Sequence, residues 1–235
     1  MEPLVLVPGM MCDARLFAPQ INALSRDMPV TVVPNTLGER IEEIASAILL
    51  GLPQKFALAG LSMGGIIAME IIRRAPERVT RIALMDMNPL PETLQSASAY
   101  EPLIVGVKAG RFEEMMRAIL KPDHLAPGPQ RLQIMNVVAE MGRSMGPEVF
   151  IRQCRALQRR KDQQATLRRI KAPALVLCGE HDGLTPVRRH TFMAELIPYA
   201  KLEIIEGAGH LPTLEQPEVV TNVLRAWMKQ PYVLK

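Results

Sequence analysis

Cysteine is scarce: the 235 residues hold three, Cys12, Cys154 and Cys178, an odd number set far apart. That pattern argues against a disulfide framework and for a reducing compartment, so the expected location is cytoplasmic. Aromatic residues make up only 4%, with a single Trp. They leave little for stacking nucleic-acid bases, and no nucleic-acid motif is present. The four histidines and three cysteines show no metal-ligand spacing, so neither a metal site nor a cofactor is expected. No run approaches the ~18 consecutive apolar residues of a membrane-spanning helix. The opening Met1-Glu2-Pro3-Leu4-Val5-Leu6-Val7-Pro8 has no basic start and no small-residue cleavage site, and reads as a strand rather than a signal peptide. There is no internal repeat, and glycine and proline are not bunched into linkers.

What the chain does have is apolar sequence, 48% of it, enough for one domain with its own core. Short runs rich in Val, Ile and Leu alternate with longer segments at helical spacing. That alternation predicts an α/β fold, a parallel sheet of about six strands flanked by helices. The predicted strands are 4–7, 30–33, 56–61, 81–86, 174–178 and 202–206. Predicted helices cover 14–25, capped by Asp13, then 40–50, 63–75, 187–196 and 217–229. From about Asn88 to Lys171 the alternation stops. Four amphipathic helical segments, 92–109, 112–120, 129–143 and 147–159, are separated by Pro and Gly. Residues 89–171 are therefore expected to form a helical cap between the fourth and fifth strands, over a core of residues 1–88 and 172–235. Open α/β sheets bind ligands at the strand ends such a cap would cover.

Charge is modest, +4 overall, but uneven: from Pro91 to Lys171 there are 14 Lys and Arg against 8 Asp and Glu. A solvated helical surface is the plain reading. The sharper one is a docking face for an anionic substrate or an acidic acyl-carrier partner.

Three short stretches carry chemistry. In Gly60-Leu61-Ser62-Met63-Gly64 an apolar strand turns sharply into an apolar helix, and two glycines leave room where side chains would collide. Such a turn holds a serine hydroxyl out at the sheet edge, with the Met63 N–H at the helix start facing a developing oxyanion. In Gly179-Glu180-His181-Asp182-Gly183-Leu184-Thr185-Pro186 an aspartate follows a strand, where a turn or cap role is the plain alternative. In Gly207-Ala208-Gly209-His210-Leu211-Pro212 a histidine rides a flexible loop after another strand. Ser, Asp and His thus follow three parallel strands at one sheet edge. A serine hydroxyl needs a histidine base to attack at neutral pH, and the histidine needs a carboxylate to fix its tautomer.

With Glu215-Gln216-Pro217 after the third stretch, the chain resembles the α/β-hydrolase family over nearly its whole length, in the capped esterase and enol-lactonase branch. The resemblance implies Ser62 as nucleophile, His210 as general base and then acid, and Asp182 as its orienting carboxylate. It also implies a second oxyanion donor in Val7-Pro8-Gly9-Met10-Met11-Cys12-Asp13, where Pro8 stands in place of the family's usual histidine and the Met10 N–H is the expected donor. Cys12 is expected to pack rather than react. Asp86, after the strand that follows the nucleophile, is the rival acid. His181 and His190 are poorer bases than His210, and His124 is expected to be exposed. Met11, Met85 and Met87, with Met10 and Met63, are candidates for a soft apolar pocket lining, the alternative being core filler. The family commonly opens with a strand hairpin that this sequence lacks. The sheet edge so left is open to a partner subunit, which makes a dimer one reading.

The implied activity is acyl transfer from a carboxylic ester, a lactone or a thioester through an acyl-enzyme. The alternatives are a C–C bond hydrolase or lyase on the same three residues and, from another class, a hydrolase-like ligand receptor.

Overall fold

A computed structural model of the chain describes residues 2–231. Six strands, β1 (Leu4–Val7), β2 (Val30–Val32), β3 (Phe56–Leu61), β4 (Val79–Met85), β5 (Ala174–Gly179) and β6 (Ala200–Ile205), form one parallel sheet in the order β2-β1-β3-β4-β5-β6. Helices α1 (Ala18–Leu24), α2 (Ile41–Gly51) and α3 (Met63–Arg74) alternate with the first strands. Between β4 and β5 lie α4 (Leu94–Ser98), α5 (Tyr100–Lys108), α6 (Phe112–Ile119), α7 (Arg131–Met145), α8 (Pro147–Gln158) and α9 (Gln164–Arg168), with no strand among the described residues. Helices α10 (Val187–Leu196), α11 (Pro212–Glu215) and α12 (Pro217–Met228) complete the chain.

The central strands read as unbroken apolar runs because both faces are covered. Alternate residues of β1 divide between them. Val5 and Val7 pack with Ile44, Ile67 and Met193 on one side. Leu4 and Leu6 pack with Leu24, Leu224 and Trp227 on the other. A third apolar cluster joins Ile104, Met115, Phe150 and Cys154 of the inserted helices to Met11, with Phe112 and Phe150 edge-to-face at 5.9 Å.

Several element limits differ from the sequence reading. The segment 14–25 splits into a 3₁₀ turn, Ala14–Phe17, and α1, because Pro19 has no N–H and fits only a first helical turn. Asp13 caps that turn, accepting from the Arg15 N–H at 2.9 Å. The expected helix 92–109 divides at Ala99 into α4 and α5, since Pro102 cannot donate to the Ser98 carbonyl. Strand β4 ends at Met85 rather than Asp86, because Asp86 takes a left-handed backbone with φ 45°.

Candidate active site

The turn after β3 is fixed by backbone contact. Ser62 has φ 54° and ψ −119°, a left-handed geometry that costs a non-glycine residue of order 1–3 kcal/mol and persists only where the surroundings impose it. They do so here. The Ser62 N–H donates to the Met85 carbonyl at 2.8 Å. A Cβ on Gly60 would lie 2.2 Å from the Gly64 carbonyl oxygen, and one on Gly64 would lie 2.0 Å from that of Val7. Only glycine at both positions lets β3, α3 and β1 approach closely enough to present the Ser62 hydroxyl above the sheet edge. Met63 opens α3, so its N–H belongs to the first turn, where helical N–H groups lack intrahelical acceptors.

Two loops from the far side of the sheet meet that hydroxyl. The Ser62 hydroxyl donates to His210 Nε2 at 3.0 Å. His210 Nδ1, facing a carboxylate, donates to Asp182 Oδ2 at 2.9 Å. Asp182 is held by three further donors: the N–H groups of Leu184 and Thr185 to Oδ1, each at 2.8 Å, and the Thr185 hydroxyl to Oδ2 at 2.5 Å. Burial alone would raise the Asp182 pKa. The His210 charge and the hydrogen bonds from His210 and Thr185 outweigh it and bring the carboxylate down to about 2.

Asp86 lies beside this chain without being part of it. It is fully buried. Its Oδ1 accepts from the Gly179 N–H at 2.9 Å, while Oδ2 has no hydrogen-bond partner. Burial, reinforced by the Asp182 charge, pushes its pKa well above the ordinary carboxylate value. Two acids at one site thus separate, one pKa held down and the other pushed up. One ligand-type atom each of Asp86, Asp182 and His210 lies within 4.8 Å of the other two. A cation there would compete with the His210–Asp182 hydrogen bond.

Opposite His210 runs the loop after β1. A Cβ on Gly9 would stand 3.5 Å from that of Ser62, so the loop lies against the Ser62 turn and brings the Met10 backbone beside it. Buried Asn35 donates to the Pro8 and Gly9 carbonyls at 2.8 and 3.1 Å. Gln153 of α8, fully buried, accepts from the Met11 N–H at 2.8 Å and donates to the Asn35 side-chain and backbone oxygens at 3.0 and 3.1 Å. The loop is therefore clamped from the inserted helices. Two cavities open on Ser62 and Met10. One, of about 450 Å³, is lined by Met63, Ile66, Met87, Tyr100 and Leu157 and has a polar corner at Glu92 and Arg160. The other, of about 50 Å³, is lined by His210, Leu211, Met11, Leu120 and Val138.

This arrangement of strand order, turn and loops accompanies a family-wide likeness. The sequence pattern of the alpha/beta hydrolase family matches residues 4–223. The chain belongs to that family. Among curated relatives, the chain is 27% identical over 232 residues to a "Putative carbamate hydrolase RutD" of Pseudomonas savastanoi, covering 91% of this chain and 88% of the relative. It is 25% identical over 199 residues, 77% of each chain, to a "Pimeloyl-[acyl-carrier protein] methyl ester esterase" of Aromatoleum aromaticum. Among solved structures, a thermophilic esterase from Thermogutta terrifontis superposes with a TM-score of 0.88 at 25% identity, covering 99% of this chain and 91% of that one. The enol-lactonase of Burkholderia xenovorans superposes at 0.85 with 21% identity, covering 97% and 90%, and speaks for the fold.

Within this hydrolase fold, the other residues singled out from sequence fall as follows. Met11 and Met87 line the cavities. Met85 does not. It is fully buried among Ala83, Leu177 and other residues on the opposite face of the sheet. Residues two apart on a strand share a face, and the left-handed Asp86 between them turns Met87 away from Met85. The Cys12 thiol is buried, which pushes its pKa up to about 12, so it stays protonated rather than nucleophilic. His190 is buried in α10, where Nε2 accepts from the Met87 N–H at 2.9 Å. Its burial brings the pKa down to about 4. His181 is exposed and lies 3.4 Å from Glu180. His124 is not exposed as expected: its side chain retains 14% of its accessibility, because its carbonyl accepts the His210 N–H at 2.8 Å and the loop packs against Gly209.

Sequence reasoning missed three positioning residues. Asn35 and Gln153 hold the Met10 loop. Glu215, with only 4% of its surface accessible, accepts N–H groups from Gly209, Leu211 and Ala126 at 2.7 to 3.0 Å. It thereby brackets His210 and ties its loop to the inserted helices. The signal available for it was the Glu215-Gln216-Pro217 run; nothing local marks Asn35 or Gln153.

Proposed function

We propose that the chain is a serine hydrolase of carboxylic esters. The observation that carries this reading is the unbroken line of hydrogen bonds from the Ser62 hydroxyl through both nitrogens of His210 to Asp182, at 3.0 and 2.9 Å. In this reading His210 Nε2 accepts the Ser62 proton as Oγ adds to the ester carbonyl carbon. The carbonyl oxygen becomes an oxyanion that accepts from the Met10 and Met63 N–H groups. His210 then returns the proton to the leaving alkoxide, and the C–O bond breaks to leave an acyl-Ser62 ester. Water, deprotonated by the same nitrogen, repeats the sequence and releases the acid. Asp182 stays ionised throughout and stabilises the imidazolium; its depressed pKa suits that role.

Relatives named for carbamate and methyl ester hydrolysis support the hydrolase class. The helical segment 89–171 serves as the cap over a core of residues 1–88 and 172–235. A small-molecule substrate fits this cap better than a docked acidic carrier, because many of its cations are already engaged. Arg160 pairs with Glu92, Lys161 with Glu42, Arg143 with Glu113 and Arg155 with Glu101. Among the described residues no helix is long and apolar enough to cross a membrane. The test is a panel of esters, lactones and thioesters followed by acid release, with Ser62→Ala alongside. The expected result is ester turnover lost in the variant at unchanged circular dichroism; turnover retained in the variant overturns the assignment.

A further inference from the structure

The two cavities at Ser62 differ in size, in chemistry and in most of their lining residues. Both contain Ser62 and Met10, but only the smaller one contains His210. This asymmetry has a stereochemical consequence, which rests on the ester-hydrolase reading. His210 Nε2 must reach the leaving oxygen at roughly 2.6–3.2 Å to protonate it. The group attached to that oxygen therefore enters the cavity His210 lines. The acyl chain leaves the carbonyl carbon in the other direction and enters the cavity that His210 does not line.

The smaller cavity holds about 50 Å³. A water molecule's share of liquid volume is about 30 Å³, and a methyl group is of similar size. One or two carbons fill the space. Its walls include Met11, Met116, Leu120, Val138 and Leu211, so apart from His210 and the Cys12 thiol it offers no ionisable partner. The larger cavity, about 450 Å³, lies in the range of pockets that enclose small organic ligands, ~300–1,000 Å³.

We propose that the substrate is an ester of a one- or two-carbon alcohol with a substantially longer acyl chain, the alkoxy group seated between His210, Leu120 and Val138 and the acyl chain in the cavity lined by Met87, Tyr100 and Leu157. Thioesters of large thiols fit the smaller lobe poorly. Small-ring lactones are disfavoured because their acyl and alkoxy parts are tethered and cannot separate into two lobes.

The test compares two isomers of identical composition, methyl octanoate and heptyl acetate, by acid release in a pH-stat, with Ser62→Ala as control. The expected kcat/KM ratio is at least about tenfold in favour of methyl octanoate, on the scale at which hydrophobic pockets resolve a few methylenes. A smaller ratio, with turnover lost in Ser62→Ala, overturns the lobe assignment and leaves the ester reading standing. No Ser62-dependent turnover of either isomer overturns the ester reading beneath it. A second variant addresses the lobe itself. Val138→Ala, in the cap and away from the reacting atoms, enlarges the smaller cavity and is expected to raise the rate on propyl octanoate relative to methyl octanoate several-fold. An unchanged propyl-to-methyl ratio in folded Val138→Ala protein counts against this seat for the alkoxy group.

Discussion

The sheet edge and the helices inserted after β4 contribute to one site under different physical rules. At the edge, geometry is set by backbone against backbone: Gly60 and Gly64 leave no room for a Cβ, and Ser62 and Asp86 sit at positive φ. Two buried carboxylates there, Asp182 and Glu215, accept three or more donors each. In the inserted helices, shape comes from ordinary apolar side chains on amphipathic surfaces, with Leu94, Val105 and Leu132 left in solvent. The turn after β3 tolerates almost no added atom because backbone meets backbone there; the helices can be repacked. In the proposed reading, chemistry belongs to the first region and selectivity to the second.

The largest effect that would break this contrast comes from Gly64→Ala. The added Cβ meets backbone on β1, so the variant is expected to yield no folded protein by circular dichroism; a folded, active variant would show that the edge is softer than described. Next is Asp182→Asn, expected to keep the fold but lower kcat/KM by roughly 10⁴, since the amide favours the wrong imidazole tautomer. Asp86→Asn is its counterpart, expected to change kcat/KM little. The Asp86 carboxyl has a folded pKa raised above its ordinary 3.8. Its favourable contribution is complete below that value and is lost as pH rises towards the folded pKa. The neutral amide escapes that loss, so Asp86→Asn is expected to gain in Tm over the wild type, more at pH 8 than at pH 4.5. If Asp86→Asn proves the crippling change and Asp182→Asn the mild one, the acid is misassigned.

Gln153→Ala sharpens the boundary between the regions, because this cap residue reaches into the edge. Loss of its bonds to Met11 and Asn35 loosens the Met10 loop. The expected cost in kcat is up to about 10²-fold, the scale of an ångström of misplacement, with KM nearly unchanged. An effect on KM alone would assign Gln153 to substrate binding instead. The smallest effect is expected from Leu132→Ala, at 72% exposure in α7. Stability should stay within about 0.5 kcal/mol of the wild type, read by urea denaturation.

The same contrast explains what the sequence made legible. The strands, the starts of α3, α6, α8, α10 and α12, and the Ser62, Asp182 and His210 loops were readable because glycine, proline and apolar runs act locally. Even so, Met85 was misplaced, because a left-handed residue after β4 reverses the face expected from strand alternation. Asn35, Gln153 and the half-buried His124 were not readable. Their partners lie far along the chain, and no local pattern distinguishes them from surface polar residues. The smaller cavity arises when α6 and α7 settle over the loop after β1, and the larger one when α4, α5 and α8 pack beside it, so the asymmetry between them has no sequence signature.

The central claim is that Ser62, His210 and Asp182 work as one acyl-transfer unit. It is tested most directly by titrating the protein with one equivalent of a fluorophosphonate and mapping the adduct by peptide mass spectrometry. The account predicts a single adduct on Ser62, formed at least about 10³-fold more slowly in His210→Ala. An adduct elsewhere, or labelling of Ser62 at an undiminished rate without His210, would contradict it.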